Sequence, residues 1–125
     1  MGFRLKFITD YCCFNLPYCY WQLGNIEEAK QCLNESKKAE INAINQAIFE
    51  LLDILFTSTD NKTSEVIFTE KYVSTLKQAQ NSHDQNLITF LLTLASKAYK
   101  QLDNPYLQAS YLEAIIQHKK QITSI

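Results

Sequence analysis

The sequence predicts an all-α protein, built as an irregular array of about three antiparallel helical hairpins, six helices in all. Three observations predict it. Only two Gly and two Pro occur in 125 residues, so long runs carry no helix breaker. Apolar residues recur along those runs at helical spacing. The few interruptions carry residues that favour helix ends. Hydrophobic residues make up 46% and charged residues 20%, too apolar a mixture for disorder. The length suits one domain over 1–125, with hairpins at about 10–39, 42–80 and 82–122.

The first hairpin is the best marked. A helix is expected from Asp10 to Leu23, kinked at Pro17, which removes a hydrogen bond in a helix interior. Gly24 can take the left-handed conformation that ends a helix. Asn25 is a favoured cap, with Glu28 completing a capping box. The second helix then runs from Ile26 to about Lys38. Glu27 and Glu28 stand in its first turn and Lys37 and Lys38 in its last, as the helix dipole favours.

Asn42 is the next plausible cap, opening a helix to Phe56 that is apolar over most of its circumference. Such a helix is buried between neighbours. The run Thr57-Ser58-Thr59-Asp60-Asn61-Lys62 is the clearest loop. A helix from about Ser64 to Gln80 follows, the least regular of the six because of its β-branched residues Val66, Ile67 and Val73. Ser82 and Gln85 make a second capping box, and the fifth helix reaches Leu102. Asn104 caps the last helix with Pro105 in its first position, and Tyr106, Ala109, Leu112 and Ile116 fall near one face. The stretch from Tyr99 to Ala109 echoes the first turn with what reads as one extra residue, placing the copies 80 residues apart (Ala109 against Ala29). A regular array of roughly 34-residue repeats would place them about 68 apart.

The first turn resembles the tetratricopeptide repeat. Tyr20-Trp21, Leu23-Gly24, Ile26, Ala29 and Leu33 occupy that family's positions, with Ser36 where a second small residue is usual. From Phe49 onward the order of features is similar to the C-terminal helices of bacterial peptide-pheromone receptors, the Rap-type response-regulator phosphatases among them. The resemblance rests on Phe49-Glu50-Leu51-Leu52, Ile67-Phe68, Leu94 to Tyr99, and Asn104 to Ile122. It implies a peptide-binding part of a quorum-sensing-type regulator. It does not imply phosphatase activity, because that family's catalytic Gln lies in an N-terminal bundle for which this chain has no room.

Composition narrows the function. The net charge is −1, with 12 basic and 13 acidic residues, which offers no footprint for nucleic acid. No secretory signal or membrane-spanning stretch is legible, so no membrane partner and a cytoplasmic location are expected. Cys12, Cys13, Cys19 and Cys32 lack zinc-ligand spacing and are expected as buried, reduced thiols. His83 and His118 lie outside the Cys-bearing segment, so no nucleophile–base pair can be drawn. No enzyme activity, metal or cofactor is expected.

A binding role remains. Tyr11, Asn15, Tyr18 and Gln22 lie four, three and four apart and form one stripe on the first helix. Asn and Gln can hold a peptide backbone through paired hydrogen bonds, and Tyr offers apolar area with a polar tip. Asn45, Phe49 and Asp53 form a comparable stripe on the third helix. Trp21 is expected in helix packing. The expected partner is a protein or short peptide. The alternative is a structural domain that self-associates as a homodimer through apolar terminal helices.

Overall fold

The computed structural model describes residues 14–38 and 43–123. These residues form six helices and no strand: α1 (Asn15–Gln22), α2 (Ile26–Lys38), α3 (Ala43–Phe56), α4 (Asn61–Ser82), α5 (Gln85–Gln101) and α6 (Pro105–Thr123). The protein is all-α, as predicted. The chain divides into two compact units, Met1–Ser58 and Thr59–Ile125. The boundary falls in the expected loop and cuts through the hairpin expected over 42–80. Its first helix, α3, packs on α1 and α2, whereas its second, α4, packs on α5.

In the first unit Pro17 is the third residue of α1. It therefore occupies the first turn, where its missing N–H would have no helical partner, and the expected kink does not arise. The α1–α2 turn is a Schellman motif: Asn25 N–H donates to Tyr20 C=O at 2.9 Å and Gly24 N–H to Trp21 C=O at 3.0 Å, with Gly24 at φ +80°. This return lays α2 against α1 and buries Ala29, Leu33 and Ser36. Along α3, Ile48, Leu51, Leu52 and Leu55 fill the core. Trp21 joins the ends of α1 and α3 by packing against Phe56, with ring centroids 6.4 Å apart.

The second unit opens on Asp60. Its carboxylate accepts from Lys62 N–H and the Thr63 hydroxyl, capping α4. Four aromatic rings from three helices make its centre. Phe68 and Tyr72 of α4 stack at 5.6 Å, and Tyr99 of α5 and Tyr111 of α6 stack at 5.6 Å. Edge-to-face contacts join the pairs, Phe68 with Tyr99 and Tyr72 with Tyr111. Two of the three polar tips are satisfied within the unit: Tyr72 donates to Leu91 C=O at 2.7 Å, and Tyr99 shares a 2.6 Å hydrogen bond with Thr69. Cross-links from Asn61 to Gln101 and from Tyr72 to Leu91 run α4 and α5 antiparallel.

One cap differs from expectation. Asp84, not Ser82, caps α5 by accepting from Leu87 N–H at 3.1 Å, while the Ser82 hydroxyl turns back to Ala79 C=O. His83 ends α4 in the left-handed region at φ 59°. Asn104 caps α6 as predicted, accepting from Leu107 N–H at 3.0 Å.

The α5–α6 turn has no extra residue. Asn104 N–H donates to Tyr99 C=O and Asp103 N–H to Lys100 C=O, with Asp103 at φ 61°. Leu102-Asp103-Asn104 thus repeats the Schellman geometry of Leu23-Gly24-Asn25 at the same length, 79 residues on (Leu102 against Leu23). The position matching buried Ala29 is Gln108, not Ala109. One residue turns a helix by 100°, so the face that holds Tyr106, Ala109, Leu112 and Ile116 is the outward one, and Leu107, Tyr111 and Ile115 are the more covered.

The paired turns make a prediction. No atom lies within 4 Å of a Cβ built on Gly24, so Gly24→Ala is opposed by backbone conformation alone and should cost about 1 kcal/mol. Asp103→Gly relieves the same conformation and should stabilise by about 0.5 kcal/mol. Urea midpoints of the two variants should move in opposite directions; equal shifts would mean that the left-handed residue is not the controlling feature.

Candidate binding surface

Helix α1 carries three of its four candidates in view. Asn15 and Tyr18 are half-buried and Gln22 is exposed; Tyr11 lies outside the described residues. The start of α1 near Asn15 sets these side chains at helical spacing, and the tilted contact of Tyr18 with Trp21, 5.8 Å between centroids, braces the phenol. Burial, and secondarily the neighbouring Cys19, pushes the Tyr18 phenol up to about 12. At neutral pH it is an intact O–H, able to donate and accept.

On α3 the three candidates part company. Asn45 and Asp53 are half-buried, but Phe49 is 1% exposed and belongs to the core. This corrects its expected place on a binding stripe: α3 packs on both α1 and α2, so its covered arc is wide enough to take in the aromatic between the two polar residues. Asp53 meets Lys37 of α2 at 3.5 Å, a partly solvated pair of modest strength. The packing of α1 on α3 places the two sets on neighbouring helices of one unit.

The cysteines also differ from expectation. Cys19 is exposed and Cys32 half-buried; both are free. Burial, with Glu35 nearby, raises the Cys32 thiol and keeps it in the unreactive protonated form. Cys12 and Cys13 lie outside the described residues. Among the described residues no three His, Cys, Asp or Glu side chains gather in a metal-binding group.

In the second unit an open cleft of about 390 Å³ lies where the start of α4 meets the α5–α6 turn, lined by Asn61, Lys62, Glu65, Asp103 and Tyr106 among others. Its walls are tied by Asn104 donating to Glu65 at 2.6 Å and Asn61 donating to Gln101 C=O at 3.4 Å. These bonds join helix ends.

The sequence reading missed one further feature. Large apolar side chains stand exposed on α6, where Tyr106 is 79% exposed and Leu112 and Ile116 about half, and on α4, at Val66, Ile67 and Val73. The equal length of the two Schellman turns is the signal that would have found the α6 face. Among the described residues no helix is long and apolar enough to cross a membrane. Compared with protein-family models, with curated proteins and with solved structures, the chain matches none.

Proposed function

We propose that this chain is a non-catalytic binding module, cytoplasmic, that takes a protein or a short extended peptide on the α1–α3 face of its first unit. One observation carries the reading. Asn15, Tyr18 and Asn45 are half-buried on adjoining helices, with Gln22 exposed beside them. Packing already restrains these side chains, and polar groups so restrained can hold a peptide backbone with little further loss of side-chain freedom. The tetratricopeptide-like turn at Gly24 and the likeness to peptide-pheromone receptors agree with this use.

An arrayed library of short peptides, probed with the labelled full chain, tests it. Binders are expected, and Asn15→Ala and Asn45→Ala should each weaken them by about tenfold, the worth of one or two hydrogen bonds. Binders that tolerate both substitutions would remove this face from the account. A second reading, a self-associating structural domain, is favoured by the outward Tyr106, Leu112 and Ile116 of α6. It calls for concentration-dependent assembly that the changes on α1 and α3 leave untouched.

A further inference from the structure

Helix α4 is a single run of 22 residues, about 33 Å long. Its inward face is Phe68, Tyr72, Thr75 and Ala79. On the opposite face Val66, Glu70, Val73 and Lys77 follow one another at spacings of four, three and four, which makes one straight stripe. Val66 is 58% and Val73 55% exposed, and Ile67 borders them at 48%. Glu70 and Lys77 are exposed, and neither makes an ion pair among the described residues. Valine on a solvated helix face lowers helix propensity and recovers nothing by burial. Nothing within the second unit accounts for two of them at the centre of this one.

We propose that this face of α4 pairs antiparallel with the same face of a second copy. Charge decides both the partner and the direction. A parallel pairing would set Glu70 against Glu70 and Lys77 against Lys77. An antiparallel one brings Glu70 of each copy beside Lys77 of the other, twice over by the two-fold symmetry, with the two Val73 side chains between the charge pairs and Val66 outside them at each end of the stripe. The stripe is thus complementary to itself only in that direction. It is also narrow, so the association is reversible and governed by concentration. The inference stands apart from the peptide-binding reading, because it uses no residue of the first unit.

Sedimentation velocity of the full chain from micromolar to millimolar concentration tests it. A monomer–dimer equilibrium is expected that weakens as salt rises. Glu70→Lys and Lys77→Glu should each weaken dimerisation at least tenfold by setting like charges together, and the double exchange should recover most of the loss. All three variants change exposed positions, so helix content by circular dichroism should match the parent. A monomer throughout overturns the proposal. So does a dimer indifferent to both single exchanges, or a double exchange that recovers nothing. A dimer lost instead on Leu112→Gln with Ile116→Gln would assign assembly to α6, leaving the self-association reading standing without this interface.

Discussion

Tyr72→Ala is expected to destabilise the second unit by about 4 kcal/mol, the cost of emptying a buried aromatic site whose neighbours cannot close on it. Tyr72 is 0% exposed, stacks on Phe68 and meets the edge of Tyr111. Those rings belong to helices whose turns fix their spacing, so the cavity persists after truncation. Tyr72→Phe separates ring from hydroxyl. It keeps the stacking and removes only the bond to Leu91 C=O, at about 1 kcal/mol. Urea unfolding followed by circular dichroism gives both numbers. A loss under about 2 kcal/mol for alanine, or equal losses for the two variants, would mean that the ring cluster is not the keystone of the unit.

Alkaline pH is expected to unfold the same unit sharply above pH 10. Burial raises the phenols of Tyr72, Tyr99 and Tyr111 above their ordinary value of 10.0. For Tyr99 the bond to Thr69 partly offsets this, and for Tyr72 the neighbouring phenols add to it. The sign follows from proton counting. Below the unfolded value both states hold these protons and stability is flat. Above it the unfolded chain releases them while the folded unit retains them, so stability falls as pH rises. Each phenol contributes about 1.4 kcal/mol per pH unit while the two states differ, and three acting together make the loss steep. Tyrosinate absorbance and helix content should therefore change together. Ionisation of all seven tyrosines with the helices intact would show that the cluster is open to water. Tyr72→Phe, with one proton fewer, should unfold along a shallower slope.

Local signals were legible where a single residue decides the backbone. Gly24 announced its turn, and Asn104-Pro105 the start of α6, because a left-handed residue and a fixed φ leave the chain few choices. Faces were harder. Ala109 looked like the partner of Ala29 because both are small, yet the main-chain bonds of the turn align Gln108 with Ala29, and the slip of one residue reverses which side of α6 is covered. In α4 the apolar residues gave no clear face, and the core took Phe68, Tyr72 and Ala79 while Val66 and Val73 stayed exposed. Of the candidate surface, Asn15, Tyr18 and Gln22 lie half-buried or exposed on α1, whereas Phe49 went to the interior, since no pattern along α3 alone says how many neighbours it will have. The pairing of Tyr72 with Tyr111 is a contact between residues 39 apart (111 against 72), which no periodicity within one helix records.

The division into two units after Ser58 also separates two sets of chromophores. The single Trp, Trp21, lies in the first unit, and the stacked phenols lie in the second. Indole emission therefore reports the first unit, and the stacked phenols add near-ultraviolet dichroism from the second. A ligand, a denaturant or a change of concentration can be followed in both halves at once, in one cuvette and without a label.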